Sequence, residues 1–326
     1  MMQERYRRQI QLKEFGLEGQ RKLAESKVLV IGAGGLGIPV AQYLNAMGVG
    51  TLGIVDGDTV SVTNLHRQVL FHENDTGRLK VEVLAERLSE QNSDTDIQTY
   101  STFLDVDNAL GMVDRYDLVV DASDNFPTRY LVNDACVILD KPFVSGALHG
   151  FEGQVSVFNY QKGPTYRCLF PKMPSPGEVP DCNTHGVLGI LPGIIGSLQA
   201  LEAVKVLTGT GEPLSGSLLL YDGRSQQSQK IKFPAQPDNF GIIALQDSYG
   251  WGHPCESVPS ITVDELKGLL AGKGQPQLVD VRTPVEFVEF HLPNALNLPL
   301  DTLDAQIRQI DAHRPVYLIC QSGMRS

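Results

Sequence analysis

Gly32, Gly34, Gly35 and Gly37 follow an apolar run in Val28-Leu-Val-Ile-Gly-Ala-Gly-Gly-Leu-Gly37, and Asp56 stands 24 positions after Gly32. These residue types at this spacing suit a nucleotide. One glycine permits a tight turn, a second lets main chain approach a pyrophosphate, and a third lets a helix pack on a strand. Phosphate oxygens then meet the free N–H groups and the positive dipole end of that helix. Asp56, closing the next apolar run, is placed to accept hydrogen bonds from ribose hydroxyls. Near the other end a thiol stands in the loop Cys320-Gln-Ser-Gly-Met-Arg325-Ser326. Successive backbone N–H groups curling around such a sulfur, together with Arg325, favour a thiolate or a persulfide. The two ends of the chain thus suggest ATP chemistry coupled to sulfur chemistry.

A glycine loop of this kind serves an NAD(P)-binding oxidoreductase as readily as an ATP enzyme, and that rival would carry the C-terminal part as a regulatory domain. Arg67, Lys80 and Asp124 speak for ATP. Activating a carboxylate takes cations against the triphosphate, an acidic ligand for Mg²⁺ and a site closed to water. Hydride transfer would instead need a His or Arg aligned on a carbonyl, and a non-catalytic scaffold would have no use for the set.

Positioning these residues requires alternating strands and helices. Val28–Ile31, Thr51–Val55, Leu118–Asp121 and Phe143–Ser145 read as strands, and Ile38–Gly48 and Gly77–Gln91 as helices. Such alternation predicts an α/β fold, a Rossmann-like doubly wound sheet. From Gly153 the segments GQVSVFNY and SGSLLLYD predict that the sheet continues with antiparallel strands. Residues 234–257, rich in Pro and Gly and without sustained period, read as a linker between a first domain at 1–233 and a small α/β domain at 258–326.

The chain has 326 residues, 42% hydrophobic and 20% charged, enough for two globular cores. Its net charge of −11 argues against a nucleic-acid surface. Val187–Leu207 is long and apolar, but Pro192, Gln199, Glu202 and Lys205 interrupt it, so a turn at Pro192 and then a buried helix are expected rather than a membrane span. The charged N-terminus has no leader-like apolar run, and five cysteines are irregularly spaced, which points to free thiols in a reducing cytoplasm. Cys136 sits on an apolar helix stripe and is expected in the core.

Taken together, R-Y-R-R-Q at 5–9, the glycine loop, D-x-D-x-V-x-x-x-N-L-x-R-Q at 56–68, Lys80 and D-x-x-D-N at 121–125 resemble the ThiF/MoeB/HesA family of ubiquitin-activating-enzyme-like adenylyltransferases. The resemblance runs over residues 3–233. In pattern it is nearest the molybdopterin-synthase adenylyltransferase branch, MoeB, with the thiamine ThiF enzymes next. It implies ATP-dependent adenylation of the C-terminal glycine of a ubiquitin-like sulfur carrier of MoaD or ThiS type ending in Gly-Gly, for molybdenum cofactor or thiamine biosynthesis. By the same resemblance, Asp56 meets the ribose, and Asn64, Arg67 and Lys80 the triphosphate. Asp124 becomes the Mg²⁺ ligand, with Gln68 and Asn125 beside the nucleotide. Arg8 matches an arginine that reaches the partner subunit's ATP, which implies a homodimer. Cys182 matches a loop cysteine that takes the acyl group, although a loop thiol without a role fits the residues equally.

Leu278–Phe287, His291–Pro299 and the Cys320 loop are similar to a rhodanese domain, which implies sulfur transfer from a persulfide donor such as a cysteine desulfurase. Rhodanese domains continue through a further helix, so this one is expected to be incomplete at its C-terminus. The adenylyltransferase resemblance also implies structural zinc held by two C-x-x-C pairs. Here the first reads Thr165-Tyr-Arg-Cys168, and after Phe233 only Cys255 occurs before the second domain. A closed zinc site takes four ligands, so no zinc is expected.

Overall fold

The computed structural model describes residues 2–174, 186–249, 261–271, 276–311 and 314–320, so Cys182, Cys255 and Arg325 lie outside the described residues. Two compact units divide the chain, Met1–His253 and Pro254–Ser326.

The first unit is built on eight strands: β1 Lys27–Ile31, β2 Thr51–Val55, β3 Asp96–Tyr100, β4 Leu118–Asp121, β5 Phe143–His149, β6 Glu152–Phe158, β7 Ser217–Asp222 and β8 Gln227–Lys232. They lie in the order β3-β2-β1-β4-β5-β6-β7-β8. Strands β3 to β5 pair in parallel and β6 to β8 antiparallel. This is the doubly wound sheet with an antiparallel extension that the sequence predicts. Strand β3 was not expected, because DIQTY is a polar edge strand without the apolar run of a central one. From β1 the chain moves to β2 and β3 on one side, then returns to β4 on the other. A crevice therefore opens beyond the carboxyl ends of β1 and β4, the place where sheets of this kind bind ligands.

Close approach of main chain fixes the glycines at this crevice. Gly32 has φ +100°, and a Cβ on it would lie 2.8 Å from the carbonyl oxygen of Ala122, just past β4. Gly37 opens the helix Gly37–Met47, and a Cβ there would lie 1.8 Å from the carbonyl oxygen of Gly32.

Two helix boundaries differ from expectation. The second long helix spans Lys80–Gln91 and not Gly77–Gln91, because Gly77 has φ +87° and Leu79 is extended. The late apolar helix spans Ile190–Thr208, so Pro192 is inside its first turn and not at a turn before it. Proline is tolerated there because the first N–H groups of a helix have no intrahelical acceptor. By length and composition this helix could cross a membrane. Its polar residues are instead used inside the unit. Gln199 Nε2 donates to the main-chain oxygen of Asp121 at 2.7 Å, and Glu202 accepts the Leu214 N–H at 2.8 Å while pairing with Lys205. Ile195, Ala200, Ala203 and Val204 join Val28, Val30, Leu44 and Val155 in one core cluster.

Residues 234–249, expected as linker, hold one 3₁₀ turn, Pro237–Phe240, and belong to the first compact unit. They pack on it: Tyr249 is only 5% exposed.

In the second unit, β9 Gln277–Asp280 pairs in parallel with β10 Leu296–Asn297 and β11 Val316–Ile319 in the order β10-β9-β11. Val279, Val281 and Leu298 form its small core. Buried Asp280 receives Arg282 Nε at 2.9 Å and Nη2 at 2.6 Å. Burial alone would raise its carboxyl, but the hydrogen bonds and charge of Arg282 hold it below the ordinary 3.8.

Two outcomes follow from these contacts. Gly37→Ala should force the loop off the Gly32 carbonyl, lower the melting temperature of the first unit by an amount corresponding to about 2–3 kcal/mol, and lose ~100-fold or more of nucleotide-dependent activity. Thermal denaturation and activity assays on the purified variant check both. Arg282→Gln should cost about 3 kcal/mol at pH 7, because it strands a buried carboxylate. A depressed carboxylate contributes stability above its unfolded value and loses it as pH falls through its folded value. The wild-type advantage should therefore narrow below pH 3.8 in melting curves.

Candidate active site

Asp56, one residue past β2, ties the glycine loop to the sheet. Its Oδ2 accepts the Ala33 N–H at 2.7 Å and its Oδ1 the Asp58 N–H at 2.8 Å. Burial pushes its carboxyl above the ordinary carboxylate value, partly offset by the Lys80 charge and by those two N–H groups. Lys80, buried at the head of its helix, donates to Asp58 Oδ2 at 2.7 Å. A lysine removed from water needs a counter-charge, and half-exposed Asp58 supplies it. Asp58 belongs to the D-x-D pattern but was assigned no role from sequence.

Asn64, Arg67 and Gln68 share one tight turn after the 3₁₀ segment Val62–Asn64. The main-chain oxygen of Asn64 accepts the N–H groups of both Arg67 and Gln68 at 3.0 Å. This turn borders the glycine loop. A Cβ at Gly35 would lie 3.5 Å from Arg67 Cγ and 2.9 Å from Pro192 Cβ, and one at Gly34 would lie 3.7 Å from Gln68 Nε2. Gln68 is buried, and its Oε1 has no hydrogen-bond partner among the described residues. An unpaired buried acceptor costs about 1–3 kcal/mol, which a donor arriving with a ligand or water would relieve. Arg67 is folded back on its own turn, donating to Thr63 O at 3.3 Å and to His66 Nε2 at 2.8 Å.

Beyond β4, the turn that carries Asp124 is held from beneath. Asp121 is fully buried. Its Oδ1 accepts the Ser123 N–H at 3.1 Å and Oγ at 2.6 Å, and its Oδ2 accepts Ser145 Oγ at 3.1 Å. Burial drives this carboxyl upward, countered by the nearby Arg129 charge and the two serines. Arg129, itself buried, donates to the Ser123 oxygen at 3.2 Å. Asp124 stands exposed at the top of this turn, and no hydrogen bond or ion pair engages its carboxylate among the described residues. Asn125 caps the helix Phe126–Ile138, its Oδ1 accepting the Thr128 N–H at 2.9 Å. Arg129 and Gln199 were not singled out as site residues from sequence. Each lies inside an apolar helix stripe, and the only signal was a polar residue where burial was expected.

The structure thus gathers Gly32, Gly34, Gly35, Gly37, Asp56, Asn64, Arg67, Gln68 and Lys80 around one loop, with Asp124 and Asn125 on the adjoining turn. Arg8 is not brought to this loop in its own chain. Its helix Arg7–Ile10 is fastened where Gln9 Nε2 donates to the oxygen of Met47, at the far end of the helix Gly37–Met47. That end lies roughly 15 Å from the glycines along the helix axis. Cys136 is fully buried, which pushes its thiol far up and makes it core, as expected. Cys320 follows β11 and packs half-buried on the small core of the second unit.

Known proteins share both halves of this arrangement. The ThiF family profile matches residues 6–241, and the rhodanese-like domain profile matches residues 262–326. Adenylyltransferase and sulfurtransferase MOCS3 of Aedes aegypti is 43% identical over 98% of this chain and 78% of its own length. The sulfur carrier protein adenylyltransferase of Thermus thermophilus is 52% identical over 72% of this chain and 88% of its own. Among solved structures, E. coli MccB with MccA-N7isoASN superposes with a TM-score of 0.66 at 22% identity, covering 74% of this chain and 75% of that one, a likeness of fold. The glycine loop, the turns that close on it and the sheet beneath them are those of the ThiF family, and the chain belongs to it, with a rhodanese-like domain behind.

Proposed function

We propose that the first unit adenylates the C-terminal glycine of a ubiquitin-like sulfur carrier ending in Gly-Gly, and that the second unit supplies sulfur to the product. The observation that carries this reading is the cluster of Lys80, Asp58 and Asp56 closed on the glycine loop, facing a turn that presents an unpartnered Asp124. The relatives named for adenylyltransferase and sulfurtransferase activity match the chain across both units. Because the relatives that match the chain are named as adenylyltransferases, the oxidoreductase reading is not favoured.

In the reaction, a carboxylate oxygen of the carrier attacks the α-phosphorus of ATP, the bond to the β-phosphate oxygen breaks, and pyrophosphate leaves. The N–H groups at the head of the helix Gly37–Met47 receive phosphate oxygens. Asp56 orients the ribose. Asn64, Arg67 and Lys80 face the triphosphate, where Lys80 exchanges part of its bond to Asp58 for phosphate. Gln68 and Asn125 line the nucleotide. The exposed carboxylate of Asp124 suits a hard divalent cation, and Mg²⁺ held there would neutralise charge building on the departing pyrophosphate.

A persulfide on Cys320, charged by a donor such as a cysteine desulfurase and favoured by Arg325, then attacks the acyl carbon and expels AMP. Cys182, the candidate acyl acceptor, next attacks the outer sulfur of the resulting acyl disulfide, taking the acyl group as its own acyl disulfide and freeing the Cys320 thiol. A cellular dithiol reduces the new S–S bond to release the carrier thiocarboxylate. Such chemistry suits a reducing cytoplasm. The placing of Arg8 away from its own glycine loop supports a homodimer in which each Arg8 serves the partner's ATP.

Carrier-dependent ATP–pyrophosphate exchange tests the first half. Asp124→Ala should lower exchange at least about 100-fold while the melting temperature stays near that of the wild type; exchange close to the wild-type rate removes the assigned role. The shared site is tested by mixing two inactive proteins, Arg8→Ala and Lys80→Ala. Verified mixed dimers should regain activity, since one of their two sites keeps both residues. No recovery would end the argument for Arg8 acting across subunits.

A further inference from the structure

The family resemblance implies zinc between a pair at Thr165 and Cys168 and a second pair after Phe233, and the structure shows what surrounds Cys168 instead. Thr165 caps the short helix Tyr166–Leu169, and Cys168 lies within it. Gln236 and Asn239 have the same three-residue spacing around the turn Pro237–Phe240. The two pairs meet around one sulfur. Cys168 Sγ accepts the N–H of Gln236 at 3.3 Å, the N–H of Thr165 at 3.4 Å and Asn239 Nδ2 at 3.7 Å, with Thr165 Oγ1 at 3.4 Å. Gln236 Nε2 also donates to the main-chain oxygen of Cys168 at 3.4 Å.

This donor set does not fit zinc. A structural site takes four lone pairs from thiolates or imidazoles at about 2.0–2.3 Å. Here one position of four is a thiol, and the others turn N–H or O–H groups toward it. Cys168 is buried, which would push its thiol up, yet the surrounding donors hold it below the ordinary value of 9.0. The sulfur thus accepts from three N–H groups and, as a thiol, donates to the main-chain oxygen of Gln236 at 3.9 Å.

A second fastening starts from the adjacent residue. Arg167 Nε and Nη2 each donate to the Asp134 carboxylate at 2.7 Å, and the Tyr249 hydroxyl donates to Asp134 Oδ2 at 2.6 Å. Asn133 Nδ2 adds a bond to Asp134 Oδ1 at 2.8 Å, and the Arg167 guanidinium lies 4.8 Å from the centre of the Tyr130 ring. The strap 234–249 is held near its start by Cys168 and at its end through Arg167.

We infer that this chain fastens the strap 234–249 with a metal-free clasp, a sulfur-centred cage at Cys168 joined to the Asp134–Arg167–Tyr249 network, where the resemblance implies zinc between a pair at Thr165 and Cys168 and a second pair after Phe233. The clasp fixes where the chain leaves the first unit. It also leaves a dormant metal site, since the two pairs still face each other.

The whole chain, purified without chelator, should carry no stoichiometric zinc, and EDTA should leave its melting temperature unchanged. The variant Thr165→Cys/Gln236→Cys/Asn239→Cys should take up one Co²⁺ per chain with the intense visible bands of a tetrahedral thiolate site, and should melt higher with Zn²⁺. Tyr249→Phe should speed amide hydrogen exchange across 234–249 by about 10-fold while exchange in β1 and β4 stays as in the wild type. Stoichiometric zinc or EDTA-sensitive melting in the wild-type chain would overturn the metal-free clasp. A folded triple variant that takes no cobalt would overturn the dormant site, and unchanged exchange in Tyr249→Phe would overturn the fastening by Asp134.

Discussion

The carbonyl oxygen of Gly32 occupies the space that any side chain at position 37 would need, and Gly32 itself presses on the carbonyl of Ala122. These two contacts between main-chain segments bring the loop after β1, the first turn of a helix and the turn after β4 within van der Waals reach. Everything chemical in the first unit hangs from that junction. Because the loop is so close, Asp56 can bond the Ala33 N–H, and the end of β2 is locked to it. Because the turn after β4 is so close, the carboxylate of Asp121 can hold it from below while Asp124 faces outward. A larger residue at either glycine would separate groups that work only together.

The electrostatics of the site show how an acidic chain can hold an acidic nucleotide. Net charge is −11, yet the glycine loop presents N–H groups and a helix dipole, with one buried lysine close by. A buried lysine is costly without a counter-charge beside it. Asp58 holds that place and, being half-exposed, can be displaced at small cost when phosphate arrives. Asp121 and Arg129 are a different pair, both buried and both engaged by serine hydroxyl or main chain. They shape the turn and do not face the nucleotide. Five charged residues therefore divide into a group closed on the glycine loop, Asp56, Asp58 and Lys80, and a pair that supports the turn after β4.

Local signals carried much of this. The strands β1, β2 and β4 were legible because buried parallel strands are apolar throughout, and the glycine loop because its spacing has a mechanical cause. Strand β3 was not, since DIQTY at a sheet edge lacks that run. The start of the late helix was misplaced because proline reads as a breaker, whereas in a first turn it breaks nothing. Gln199 and Arg129 were illegible for a deeper reason. Their partners, the oxygens of Asp121 and Ser123, lie 78 and 6 residues away, and no local period predicts which carbonyl a buried side chain will meet. The pairing of Thr165 and Cys168 with Gln236 and Asn239 was half visible. The matched spacing is in the sequence, but amides do not look like ligands until they are seen around a sulfur.

Placing both units on one chain has a physical rationale of its own. An acyl adenylate is a mixed anhydride that water destroys, so the sulfur nucleophile must arrive before water does. A tethered nucleophile has an effective concentration set by tether length and stiffness, reaching millimolar for short flexible linkers, whereas a free one must be present at that level in bulk. Residues 234–257 read as a linker in the sequence. In the structure their first part is strapped to the first unit as far as Tyr249. Every strapped residue is one fewer in the stretch that joins the first unit to the first helix of the second, Val263–Ala271. Fastening that strap with hydrogen bonds around a thiol has a further consequence. A zinc site adds binding energy that depends on metal supply and on four deprotonated ligands. A cage of N–H donors holds the same two turns together without either.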